Sequence, residues 1–429
     1  MVLMTEKTLK ECPAPDETAF FKQTRLIFIL SRVLCSPLEA LYYIMPFIFA
    51  KGLDATPMQI ALLISVKPVV ALLSFYGNLI IKGRPKRLKT FLALSTFFAT
   101  FPCLFFPFVN NVWFFLFSYG VFWMSVRAMI PAWSEIFKIN EPKEKRGNIF
   151  SKGSIANYVI MIFFPLLCSP WIDAYPNIWK WFFCGLAAIQ TVNAILLLFI
   201  KVRTYSESVE PYGSYNLVSL KSILLDPWIN CWILMKERAD FRLYQIVFMF
   251  GGAGLILMQP VLPIFFKETL LLSYTQLSLA TSLCKGIAFA CTAPFWAKWL
   301  NSIPINLFNS FVNLSFALFV GFVLAASFDT AWIYVAYLIY GTAQAGSELS
   351  WNMSGPIFSK EKDSTLYTGV NVAMVGVRGC FAPFVGEFLF MLTNASTVFI
   401  SSGCLCLFGA CYSLLSKQAR QEKAINEGV

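Results

Sequence analysis

From Leu26 onward the chain alternates long apolar runs with short polar breaks. Each run holds about 20 or more residues, the length a helix rising about 1.5 Å per residue needs to cross the hydrocarbon layer. Taking charged or Gly/Pro/Asn-rich breaks as boundaries predicts helices over 26–49, 57–81, 89–109, 112–136, 154–172, 179–201, 243–266, 274–297, 305–327, 331–356, 367–392 and 396–415. The connection from Lys201 to Arg242 divides these six and six. Its first part, RTYSESVEPYGSYN, is a polar linker. Its second, LVSLKSILLDPWINCWILMK, is too often interrupted to cross comfortably and is expected to lie along the membrane surface. Residues 1–25 lack the basic segment and apolar core of a secretory signal and read as a tail. The expected organisation is tail 1–25, bundle 26–201, loop 202–242, bundle 243–415 and tail 416–429.

Composition agrees, with 58% hydrophobic and 13% charged residues against about a quarter charged in soluble proteins. The fold class is all-α integral membrane protein, with the lipid bilayer as its surroundings. A net charge of +11 raises nucleic acid as a partner, but the basic residues lie mostly in alternate connections. One side carries Lys51, Lys180 and Lys267, and the other carries 26 Lys and Arg. By the positive-inside rule both termini are cytoplasmic, in a plasma or inner membrane, and nucleic acid drops out. Trp113, Trp171, Trp179, Trp296 and Trp332 fall near predicted helix ends, where amphipathic rings are favoured. Twelve cysteines without a CxxC pair, in a chain with no histidine, read as buried thiols rather than a zinc site. Neither HExxH nor GxxxxGKS occurs, so an enzyme, a cofactor and direct ATP hydrolysis are not expected.

The chain also repeats itself. YGVFWMSVRAMIPAWSEIF (Tyr119–Phe137) and YGTAQAGSELSWNMSGPIF (Tyr340–Phe358) open on Tyr-Gly and close on Ile-Phe at a constant offset of 221, which sets Arg127 against Glu348. A weaker echo relates FYGNLI to FWAKWL. With the six-plus-six plan, these repeats resemble the major facilitator superfamily over essentially the whole chain. The loop Gly77–Arg87 is similar to that family's glycine-and-basic signature, with its usual acid replaced by Ile81. Gly376, Gly379, Pro383 and Gly386 look like a close-packing family helix. The resemblance implies twelve helices in two pseudo-symmetric halves, a cavity lined by helices 1, 4, 7 and 10, and alternating access.

Eight ionisable residues lie deep in apolar runs: Arg32, Glu39, Lys67, Arg127, Lys285, Glu348, Arg378 and Glu387. Each would cost roughly 2.5–3.5 kcal/mol unpaired at the bilayer centre, so they must pair or face water. Mapped onto the family plan, Arg32, Glu39 and Tyr43 in the first helix, Trp123 and Arg127 in the fourth, Gln259 in the seventh, and Gln344 and Glu348 in the tenth are the candidate substrate-binding residues. The simpler alternative is that Arg32 with Glu39, or Arg127 with Glu348, merely tie helices together. Lys67, Lys285, Arg378 and Glu387 are expected at gates and at the interface between halves, with Glu39 and Glu348 as carriers of a coupling proton.

Five cations against three anions favour a small organic anion or zwitterion, since arginine holds a carboxylate or phosphate through paired hydrogen bonds. The expected function is a secondary transporter, proton-coupled or exchanging, acting as a monomer. Export of amphipathic drugs or lipids, and a transport-dead sensor of the same fold, are the alternatives.

Overall fold

The computed structural model describes residues 15–81, 87–141, 143–202, 220–359 and 365–415. Residues 82–86 of the basic loop, the linker 203–219 and most of both tails lie outside them, so the readings made there stay expectations.

Helices cover all the predicted spans. In chain order they are α1 (Pro15–Lys51), α2 (Pro57–Ile81), α3 (Leu88–Thr100), α4 (Val112–Asn140), α5 (Lys143–Ala174), α6 (Ile178–Leu198), α7 (Leu220–Glu237), α8 (Ala239–Met258), α9 (Val261–Glu268), α10 (Tyr274–Ser278), α11 (Lys285–Leu300), α12 (Ile305–Ala325), α13 (Trp332–Ser359), α14 (Thr365–Leu392) and α15 (Ala395–Leu415). Among the described residues, ten stretches are long and apolar enough to cross a membrane. Two predicted spans fall outside that set. The described apolar part of α2 ends at Leu72, and α13 carries the polar run Thr342 to Asn352.

Three predicted spans are interrupted for local reasons. Pro102 and Pro107 turn the end of the third into a 3-10 helix over Phe101–Phe108. The seventh breaks between Met258 and Val261, at Gln259 and Pro260. The eighth contains a π-helical stretch, Leu279–Cys284, between α10 and α11.

One turn occurs twice. After α1, Leu53 N donates to Ile48 O at 3.0 Å and Ala55 N to Phe49 O at 2.9 Å. After α9, Leu270 N donates to Phe265 O at 3.1 Å and Leu272 N to Phe266 O at 2.9 Å. Both turns pass through a left-handed residue, Asp54 at φ 46° and Leu271 at φ 51°. Each then starts a helix with a reciprocal cap, Thr56 with Gln59 and Ser273 with Gln276. The turns are 217 residues apart, four fewer than the offset between Tyr119 and Tyr340, so alignment of the repeats needs a gap.

Aromatic packing dominates the interior. Tyr42, Phe106, Phe115, Phe122, Trp179 and Phe183 form one buried group, and Phe241, Tyr244, Phe358 and Tyr367 another. Trp113, Trp171 and Trp332 are exposed as a membrane-interface position requires, but Trp179 and Trp296 are buried. These two lie near helix ends but pack into the core. Helix α7 leaves Trp228, Trp232 and Ile233 exposed, in keeping with a surface-lying helix.

The small residues of α14 permit close approach on two sides. A side chain at Gly376 or Gly379 would run into Leu72 or Pro68 of α2, and one at Gly386 into the Leu257 carbonyl of α8. Gly386→Val is therefore expected to destabilise the bundle by about 1–3 kcal/mol, the usual range for overpacking. Gly321→Val, where nothing lies within 4 Å, is the matched control. Melting of both variants in detergent measures the difference, and equal melting temperatures would remove Gly386 from the packing argument.

Candidate functional site

Helix α1 presents Glu39 and Tyr43 one turn apart, on one face. Lys67 of α2 projects its ammonium against them. Its Nζ lies 3.5 Å from the centre of the Tyr43 ring and 3.6 Å from that of Trp123 on α4. The two rings meet edge to face at 82°, with centroids 5.6 Å apart, and form a corner around the ammonium. Aromatic faces attract a cation strongly once it has lost water. Glu39 lies within electrostatic reach of Lys67, Arg32 and Arg127, so three cations surround one acid. Tyr43 remains 49% exposed and Arg127 is also exposed, so the group borders open volume.

A second acid stands across from it. Glu348 on α13 accepts from the Tyr158 hydroxyl of α5 at 3.2 Å and from Gln344 Nε2 at 3.1 Å, and feels the charge of Lys285. Tyr158 also stacks on Phe289 of α11, with centroids 5.8 Å apart. The sequence left Tyr158 unmarked because a tyrosine in an apolar run carries no signal of its own. The position 217 residues after Lys67 is Cys284, and the π-helical stretch ahead of it contributes one extra residue, so Lys285 takes the place equivalent to Lys67. Each acid therefore has a lysine from a corresponding helix nearby.

The other candidates are distributed differently from the sequence expectation. Neither suggested tie is present: Arg32 lies over the Phe28 ring at 5.5 Å, and neither Arg32 nor Arg127 forms an ion pair among the described residues. Lys67, on a helix that packs against α14, holds its ammonium in the aromatic corner of Tyr43 and Trp123. Arg378 donates to Phe248 O at 2.9 Å and shares a cavity with Gln259. Glu387 is fully buried with neither oxygen hydrogen-bonded.

The end of the bundle opposite the chain termini is closed by contacts between early and late helices. Lys51 Nζ donates to Leu272 O at 2.7 Å, and Lys267 pairs with Asp54 at 2.5 Å. Asp173 accepts from Tyr274 N at 2.7 Å, Thr275 N at 2.9 Å and the Thr275 hydroxyl at 2.6 Å. Ser169 and Ser278 share a hydrogen bond at 2.5 Å. Sequence reasoning missed this seal, although a signal existed. Of the three lysines on the sparsely charged side, Lys51 and Lys267 belong to it, and Lys180 is held by Val109 O at 3.1 Å and by Asn110.

Asp173→Ala removes three acceptor contacts at once and is expected to favour opening of that end. A shift of about 1.4 kcal/mol would raise the open population tenfold. In a cysteine-free background, alkylation of Ser278→Cys by a membrane-impermeant maleimide reads this directly. An unchanged rate would show that the Asp173 contacts do not hold the seal.

Comparison with known proteins agrees with this architecture. The sequence profile of the Major Facilitator Superfamily matches residues 26–355. No curated protein matches the chain in sequence. Similar solved structures include the nucleoside transporter NupG, 14% identical, covering 95% of this chain and 99% of its own, with a TM-score of 0.66. A POT family transporter in complex with a thioalcohol conjugated peptide is 13% identical, covering 92% and 95%, with a TM-score of 0.69. Another, in complex with 5-aminolevulinic acid, is 13% identical with the same coverage and a TM-score of 0.65. At such identities the likeness shows the fold alone. With most of its length matched by the family profile, the chain belongs to the Major Facilitator Superfamily and is a membrane transporter rather than an enzyme.

Proposed function

We propose that the chain is a secondary transporter that moves a small organic zwitterion or anion by alternating access. The observation that carries this reading is the corner of Tyr43 and Trp123 around the Lys67 ammonium, beside Glu39 and two arginines. An anionic group of the solute meets an excess of positive charge there, and an ammonium group can compete with Lys67 for Glu39 and the ring faces. The aromatic walls accept an apolar body. Glu348, with Gln344 and Tyr158, supplies the facing wall, and Gln259 marks the break in the seventh span.

In this reading the protein crosses the membrane twelve times in two six-helix halves, 26–201 and 243–415, with residues 202–242 between them. The tails 1–25 and 416–429 face the cytoplasm, in a plasma or inner membrane, and the protein works as a monomer. The seal then lies on the outer side, and the conformation is open to the cytoplasm. Movement of Lys67 against Glu39, and of Lys285 against Glu348, would let a carboxylate take up and release a proton as the cavity opens and closes. Arg378 and Glu387, on the helix packed against α2 and α8, would move with that change.

Reconstituted vesicles loaded with different solute classes test the proposal. Labelled anions or zwitterions should exchange across the membrane, and Lys67→Gln should cut the rate at least tenfold, on the order of 1.4 kcal/mol. Exchange of organic cations alone, or full activity of Lys67→Gln, would overturn the substrate class.

A further inference from the structure

We propose that the C-terminal helices contain a second ligand site, a pocket for the carboxylate of a small organic monoanion, formed by Arg378, Asn309 and Gln259. A cavity of about 220 Å³ opens between α8, α12, α13 and α14, and these three side chains line it. It shares no residue with the Lys67 corner, which is built from α1, α2 and α4.

The cavity is fitted around the guanidinium. A Cβ at Gly252 would collide with the end of Arg378, so the bare backbone of α8 is what allows the charge to reach this position. One Nη is anchored on Phe248 O at 2.9 Å, with the charge 5.5 Å from the Phe248 ring centre. Among the described residues Nε has no hydrogen-bond partner, and no carboxylate pairs with Arg378. Asn309 is 2% exposed, and its Oδ1 accepts from the Ser350 hydroxyl at 2.6 Å. That bond fixes the orientation of the amide and leaves Nδ2 as a buried donor without a partner among the described residues. A desolvated cation and a fixed, unused N–H donor in one cavity both gain from an anionic acceptor.

The charge and shape of the pocket narrow the ligand. A single guanidinium with amide donors balances one negative charge, whereas a doubly charged phosphate would bring a second charge with no partner. Chloride would satisfy the donors but leave most of the volume empty. Val312, Phe316 and Leu255 supply apolar wall for a short carbon body. A small monocarboxylate meets all three conditions.

Thermal melting of the purified full-length protein in detergent, with propionate as probe and chloride and phosphate alongside, tests the assignment. Propionate should raise the melting temperature of the wild type saturably, and Arg378→Gln should abolish the rise. Asn309→Asp places a carboxylate on the lining of the cavity that holds the guanidinium. It should raise the melting temperature without ligand and remove the propionate response, which keeps the test decisive even if Arg378→Gln folds poorly. Lys67→Gln should keep the response, separating this pocket from the proposed transport site. No response of the wild type to propionate, a response to chloride or phosphate alone, or a full propionate response in Asn309→Asp would each overturn the proposal.

Discussion

A charged side chain left without a partner in hydrocarbon costs about 2.5–3.5 kcal/mol even on the mildest scales, and most of the deep charges of this bundle, Glu387 excepted, are placed so as to reduce that cost. Several devices do so. Lys67 rests between two aromatic faces, Glu348 accepts one hydrogen bond from Tyr158 of α5 and one from Gln344 a turn earlier on its own helix, and Arg378 and Lys180 donate to main-chain carbonyls. Direct ion pairs between deep charges are not the device used among the described residues; the buried Glu141 carboxylate, near the cytoplasm-expected end, is instead paired with Arg25 at 2.6 Å. Partners made of rings, amides and carbonyls leave net charge in the interior, and that charge is what a polar solute can find.

The seal obeys a different rule. Its members sit where helices end, so they combine main-chain groups with partly hydrated side chains. Asp54 is 80% exposed, and such a pair with Lys267 contributes about 0–1 kcal/mol. Asp173 contributes more, because it satisfies two main-chain N–H groups that the start of α10 leaves free. These contacts are many and modest, and they adjoin the aromatic core, since Tyr274 packs edge to face on Phe47 with centroids 5.1 Å apart.

Much of the fold was legible because lipid imposes one length and one periodicity on every crossing segment. The helices of the predicted spans and the close packing of α14 could be read from composition and small-residue spacing. What escaped was contact across sequence distance. Nothing adjacent to Lys67 announces that its stem reaches Tyr43 and Trp123, and nothing near Glu348 points to Tyr158, 190 residues away. The sequence match between Tyr119–Phe137 and Tyr340–Phe358 stands at an offset of 221, but the repeated turn stands at 217, and a single offset concealed it. Placing opposite charges at equivalent depth in Arg127 and Glu348 did not bring them together, since equivalent positions in a repeat face a shared axis rather than each other.

The π-helical stretch before Lys285 bears on how such a chain tolerates change in length. A residue added to an ordinary helix turns everything beyond it by about 100°, given 3.6 residues per turn. Absorbed within one wide turn, the extra residue leaves the rest of the helix in phase. Insertions and deletions in the eighth span are thus not interchangeable with those elsewhere. Loss of one residue from Leu279–Cys284 could be accommodated by an unbroken helix, as in α2, while the same loss from α11 would swing its later side chains onto a new face.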